Sequence, residues 1–103
     1  MVEELTQEDF DEKTKQGKVV LDFYADWCGP CQIVKPVFEK VSKELNECIF
    51  FRVDVEKNRE QANAYAVRSI PTIIFLKDGK EVSRYLGALP EDALKEKIKQ
   101  SFN

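Results

Sequence analysis

The chain is 103 residues long, 43% hydrophobic and 34% charged, with a formal net charge of −3. That length supports one domain over residues 1–103 with a core of its own, independent of disulfide staples or a structural metal. Basic residues are scattered rather than striped, which argues against nucleic acid as the main partner, and no apolar stretch approaches the roughly 20 residues that would span a bilayer.

Val2 to Leu5 are expected to open the chain as a short strand. Thr6 reads as an N-cap, with Asp9 at the third helical position and Leu5 against Phe10 as a hydrophobic staple. The first helix should end near Gly17. Glu3, Glu4, Glu8, Asp9, Asp11 and Glu12 leave no basic segment followed by an apolar one, so no cleaved export signal is expected. Three cysteines without such a signal indicate a reducing compartment, the cytosol.

Val19 to Ala25 form an apolar run at both parities, as a central strand covered on both faces requires. Asp22 stands inside that run, and burying a charge there costs free energy. It is either a hydrogen-bonded or edge carboxylate or a proton-transfer group, and the residues alone leave both readings open. After Cys28-Gly29-Pro30-Cys31, the residues Ile33, Val34, Val37, Phe38, Val41 and Leu45 recur at helical spacing. Pro36 falls inside that pattern and is expected to bend the helix.

Cys48 has no motif partner and reads as a partly buried strand-end residue. Ile49 to Val55 form a further strand, apolar on one face at odd positions. Asn58 can cap a short helix through Ala62, Tyr65 and Ala66, with Gln61 at its third position. Thr72–Leu76 and Val82–Leu86 flank Lys77-Asp78-Gly79-Lys80, and Asp-Gly between strands is a strong hairpin signal. Pro71 opens the first of these strands, where a missing N–H is tolerated. Pro90 suits a first helical position, with Glu91 and Asp92 behind it, Leu94, Ile98 and Phe102 on one face, and Lys95, Lys97 and Lys99 toward the negative end. The order β-α-β-α-β-α-β-β-α predicts an α/β fold: a central mixed sheet with helices on both faces, in three layers.

The chemistry lies in the two thiols spaced C-x-x-C between a strand and a helix start. On one helical turn they can close a short disulfide, and the first faces unpaired helix N–H groups that favour its thiolate. The other reading, half a zinc site, needs two further ligands. The chain has no histidine and its remaining cysteine is Cys48, so no metal is expected. Cys28, the more exposed thiol by position, is the expected nucleophile.

This sequence resembles the thioredoxin family over essentially its whole length. Trp27-Cys28-Gly29-Pro30-Cys31 is that family's active-site sequence. Asp22 falls where the family keeps a buried carboxylate, Pro36 at its helix kink, Ile70-Pro71-Thr72 at its cis-proline segment, Gly79 at its hairpin glycine, and Gly87-Ala88 in the loop beside the site. Three positions depart. Tyr24 replaces a frequent tryptophan and is expected to matter little. Gln32 replaces a frequent lysine or arginine, and Arg52 a lysine near the buried aspartate; both should alter the tuning of the thiols but not the reaction.

The resemblance implies a thioredoxin fold, five strands and four helices, and a general protein-disulfide reductase. Cys31 would be the resolving thiol and Asp22 its buried proton acceptor and donor. Trp27, Gly29, Pro30, Ile70, Pro71, Gly87 and Ala88 would form the groove for an extended client segment. No bound cofactor is implied, because the electrons ride on sulfur; NADPH or ferredoxin would supply them through a separate thioredoxin reductase. Clients would be disulfide-containing proteins such as peroxiredoxins and reductases, and the chain a monomer without nucleic-acid or membrane partners. Gly-Pro between the cysteines, with no histidine cation, fits a reductant rather than an oxidant. Two other readings are a thioredoxin-fold subunit of a larger assembly and an exported oxidant or isomerase. The Cys pair standing together with Trp27, Asp22 and Pro71 argues against the first, and the missing histidine and export signal against the second.

Overall fold

The computed structural model describes residues 2–103. Its elements follow the expected order: β1 (Val2–Glu4), α1 (Phe10–Thr14), β2 (Lys18–Tyr24), α2 (Gly29–Glu44), β3 (Ile49–Asp54), α3 (Arg59–Ala64), β4 (Thr72–Lys77), β5 (Lys80–Leu86) and α4 (Glu91–Ser101). They build one five-stranded sheet in the order β1-β3-β2-β4-β5. The first three strands in that order are parallel, β4 runs antiparallel to β2, and β5 antiparallel to β4. This is the thioredoxin fold.

Side-chain alternation divides the central strands between two cores. On one face Val20, Phe50, Ile73 and Phe75 pack with Val34, Phe38 and Val41 of α2 and with Leu94 and Ile98 of α4. The Phe38 and Phe50 rings meet edge-on, 5.3 Å between centroids. On the other face Val19, Leu21, Phe23, Phe51, Val53 and Ile74 pack with Leu5 and Phe10, and Tyr65 and Val67 close the cluster. The staple pair is therefore buried as expected. Thr6 and Asp9 exchange reciprocal backbone-to-side-chain hydrogen bonds of 2.8 and 3.2 Å, although regular helix begins only at Phe10.

Four local expectations are corrected. β3 is not one-sided: Phe50, Arg52 and Asp54 are buried along with Phe51 and Val53, while Ile49 is exposed. The reason is position, since β3 lies inside the sheet and contributes Phe50 to the core on one face and Phe51 and Val53 to the core on the other. Ile33 belongs to α2 but is 66% exposed, on the side of the helix turned away from the sheet. Asn58 stands at the cap position of α3, yet its side chain donates instead to the carbonyls of Asp54 (3.0 Å) and Leu5 (3.4 Å). Pro90 is the extended N-cap of α4, one residue before the expected position. Pro36 is accommodated within α2, which is continuous from Gly29 to Glu44.

The hairpin between β4 and β5 turns on Asp78 and Gly79, at φ +51° and +84°. Two successive left-handed residues match the twist of the flanking strands. The Asp78 side chain also accepts from the Gly17 N–H at 2.9 Å, and its own N–H donates to the Gly17 carbonyl at 2.9 Å. Gly79→Ala should therefore destabilise the fold by about 1 kcal/mol, the usual cost of a side chain in the left-handed region. A Cβ there would lie 3.5 Å from Lys15, an ordinary contact, so the loss is conformational rather than steric. Denaturant melts check it; an unchanged midpoint would contradict the turn assignment.

Candidate active site

β2 carries the chain to the site. After Ala25 the turn Asp26-Trp27 leads to Cys28, whose extended backbone (φ −87°, ψ 116°) makes it the N-cap of α2. The Cys28 N–H donates to the Ala25 carbonyl at 3.2 Å. Its Sγ accepts the Cys31 N–H at 3.2 Å, so sulfur takes the place of the usual capping oxygen. Gly29 and Pro30 fill the first helical turn, and Pro30 brings no N–H of its own. Cys28 and Cys31 are joined in a disulfide, their Cα atoms 5.3 Å apart. In this oxidised state Cys28 is only 5% exposed, less than its position implied, and Cys31 is completely buried. The ordering of the two is as expected.

Tyr24, Ala25, Cys28 and Cys31 form a small cluster of their own, closed by Val55 and Ile70. Ile70 and Pro71 are joined by a cis peptide bond. The Pro71 carbonyl accepts the Gly87 N–H at 2.8 Å, which ties the loop of Gly87 and exposed Ala88 to the proline. Gly87 lies at φ +113°, a conformation open chiefly to glycine. Trp27 is not core. It is 70% exposed, and its indole N–H donates to Glu56 at 2.8 Å. Between Trp27 and Ile70 lies a shallow hollow of about 200 Å³, lined also by Val55, Val67, Arg68 and Ser69. Trp27, Pro30, Ile70, Gly87 and Ala88 are thus at least partly exposed, whereas Pro71 is buried.

Asp22 is fully buried on the face of the sheet that α2 covers, at the parity of Val20. Its neighbour across β3 is Arg52, whose Nε donates to Asp22 Oδ2 at 3.3 Å. The Arg52 guanidinium stacks over the Tyr24 ring, 3.6 Å from its centroid, and the Tyr24 hydroxyl donates to Glu4. Tyr24 therefore does more than fill space: its ring carries Arg52 and its hydroxyl holds Glu4. Burial raises the Asp22 carboxyl to about 6, outweighing the opposite pull of Arg52, and Glu4 adds to the rise. Asp22 Oδ1 accepts no hydrogen bond, which adds to the cost of its charge.

Gln32 straps the turn before the cysteines, donating from its amide to the Asp26 carbonyl at 3.0 Å. Sequence reasoning missed this contact, the Glu56 partner of Trp27 and the role of Tyr24. Cys48 is free and 8% exposed, at the N-terminal edge of β3 and the opposite end of the sheet from Cys28. Burial raises its thiol above the ordinary value. Among the described residues, no three His, Cys, Asp or Glu side chains cluster as a metal would need.

Comparison with known proteins agrees with this geometry. The family model for thioredoxin matches residues 1–100. The chain belongs to the thioredoxin family. It is 48% identical over 82 residues to the thioredoxin of Mycoplasmoides gallisepticum, spanning 80% of this chain and 82% of that one. With the thioredoxin of Chlamydia trachomatis it shares 43% identity over 94 residues, spanning 91% and 92%. The crystal structure of Malassezia sympodialis thioredoxin superposes with a TM-score of 0.90 at 34% identity, covering 99% of this chain and 94% of that one. A thioredoxin variant from Halobacterium salinarum gives 0.89 at 36% identity, covering 99% and 91%. The chain is a thiol–disulfide oxidoreductase, and as in thioredoxins generally its partners are disulfide-containing proteins and a reductase.

Proposed function

We propose that this thioredoxin reduces client disulfides with Cys28 as nucleophile, Cys31 as resolving thiol and Asp22 as proton acceptor. The Cys28 thiolate attacks one sulfur of a client disulfide. That S–S bond breaks, the departing client sulfur takes a proton, and a mixed disulfide joins Cys28 to the client. Cys31 then gives its proton to Asp22 and attacks Cys28 Sγ. The second client sulfur leaves as a thiolate, so over the two exchanges the client disulfide gains the two electrons that the Cys28–Cys31 pair loses.

The observation that carries this reading is the placement of Cys28 Sγ at the N-cap of α2. There it accepts the Cys31 N–H and meets the positive end of a sixteen-residue helix. An uncharged Gly-Pro insert and the lack of histidine keep that stabilisation moderate, which favours donating electrons. The clients dock in an extended conformation in the groove of Trp27, Gly29, Pro30, Ile70, Pro71, Gly87 and Ala88. Thioredoxin reductase restores the dithiol with electrons from NADPH or ferredoxin. The chain works as a monomer and a single domain over residues 1–103, in the cytoplasm, where the reduced form persists.

Thiol counting tests the cycle. Reduced, denatured protein should bind alkylating reagent at Cys28, Cys31 and Cys48; after one round with a client disulfide, only Cys48 should remain. Each client disulfide reduced should consume one dithiol, and addition of reductase with its electron donor should restore it. A client left intact by the dithiol form, or oxidised protein refused by both NADPH- and ferredoxin-linked reductases, would refute the reading.

A further inference from the structure

Asp22 does not stand alone on its sheet row. The strand registers place Glu4 of β1 beside Arg52 of β3, and Arg52 beside Asp22 of β2. A negative, a positive and a negative side chain thus share one face across three parallel strands. Tyr24, two residues beyond Asp22 and on the same face, links the ladder's outer half: its ring lies beneath Arg52 and its hydroxyl donates to Glu4. Asp22, Arg52 and Tyr24 are buried, whereas Glu4 is exposed. The guanidinium charge of Arg52 lies between the two carboxylates. What varies is how two carboxylates share it.

We propose that Glu4 is a positioning residue of the redox site: by holding Tyr24 and drawing on the charge of Arg52, it sets how strongly Arg52 binds the Asp22 carboxylate. A fixed negative charge at Glu4 opposes a second one at Asp22, and attraction of Arg52 toward the sheet edge weakens its pairing at the centre. Both effects have the same sign, and Glu4 is among the groups that raise the Asp22 carboxyl. Burial and the bond to Glu4 keep the Tyr24 hydroxyl protonated and therefore a donor. Other groups facing Asp22 leave Glu4 as the lever. Asp54 of β3 lies two register positions further along, beside Tyr24. β4 presents Ile73 and no charge, Cys31 of α2 is held in the disulfide, and the charged residues of α2 are exposed.

The consequence for turnover rests on Asp22 being the proton acceptor; the consequence for Asp22 ionisation does not. The experiment therefore has two readouts. Carboxyl ¹³C NMR follows the Asp22 titration in the oxidised full-length chain, and client-disulfide reduction is measured across pH, for the parent, Glu4→Gln, Tyr24→Phe and the double variant. Glu4→Gln should lower the Asp22 midpoint by roughly half a pH unit, the size expected of one partly solvated ionic contact. Glu4→Asp should restore most of the shift. Tyr24→Phe should give a smaller shift in the same direction, and none in the Glu4→Gln background. The acid limb of the rate profile should move with the midpoint. An Asp22 midpoint unmoved by Glu4→Gln overturns the inference, and additive shifts in the double variant overturn the Tyr24 link. A moved midpoint with a stationary rate profile supports the role of Glu4 and removes the proton-transfer role of Asp22 instead.

Discussion

Cys31→Ser is expected to accumulate mixed disulfides with client proteins and to lose multiple turnover altogether. The variant keeps Cys28 at the N-cap of α2, where the helix end favours its thiolate. Attack on a client proceeds, but no second thiol lies within reach to release it, because Cys48 is at the other end of the sheet. Cys28→Ser should trap nothing, since Cys31 is fully buried beneath the site. Non-reducing gels and mass spectrometry of the adducts decide between them. Equal trapping by both variants would reverse the assignment of nucleophile and resolving thiol.

Asp22→Asn should flatten the dependence of stability on pH while slowing turnover. A carboxyl that titrates near 6 in the folded chain and near 3.8 in the unfolded one binds more protons when folded between those values. Stability is thus greatest below pH 3.8 as far as this group is concerned, falls as pH rises toward 6, and is level above it. The difference amounts to about 3 kcal/mol at neutral pH. Asparagine cannot ionise, so the variant should lack that decline. Its absolute gain at neutral pH should be smaller than 3 kcal/mol, because Arg52 loses a buried counter-charge at the same time. Losing the proton acceptor should slow client release by about tenfold or more. Denaturant melts from pH 4 to 8, paired with reduction rates, measure both effects. Parallel stability curves for parent and variant, with equal rates, would show that Asp22 neither titrates in this range nor moves a proton.

The burial of Asp22 also shows what local sequence can reveal. An acid inside Val20-Leu21-Asp22-Phe23 is conspicuous because a strand that apolar must be covered on both faces. Arg52 carries no such signal of its own; only the family resemblance sets it near the buried aspartate. Ile49-Phe50-Phe51-Arg52-Val53-Asp54 reads as a strand apolar on one face at odd positions, and that reading falls short because clusters pack on both faces of β3. Once β1 pairs on its outer side as far as Arg52, that guanidinium finds its carboxylate partner on β2, while Asp54 accepts the Glu56 N–H at 2.9 Å.

Local grammar was sufficient for the turn and the thiols, and less so for helix caps, where Asn58 and Pro90 take other roles. The Asp78-Gly79 turn and the thiols at the start of α2 each depend on a few successive residues and lie where the sequence places them; Thr6 and Asp9 exchange the expected hydrogen bonds, but Asp9 rather than Thr6 is the N-cap of α1. The order of strands and helices follows from periodicity, and the Trp27-Cys28-Gly29-Pro30-Cys31 motif points to the reaction class. The tertiary structure decided the contacts across the sheet: the resemblance set Arg52 near Asp22, but nothing in the sequence joined Glu4 or Tyr24 to them. Glu4, Asp22 and Arg52 are separated by 18 and 30 positions in the chain, and only the parallel register of β1, β3 and β2 aligns them. Trp27 with Glu56, and Gly87 with Pro71, are likewise joined by chain folding. A strand's own residues encode which of its faces are apolar; its neighbours determine which of its polar groups lose water, and with them the electrostatics of the site.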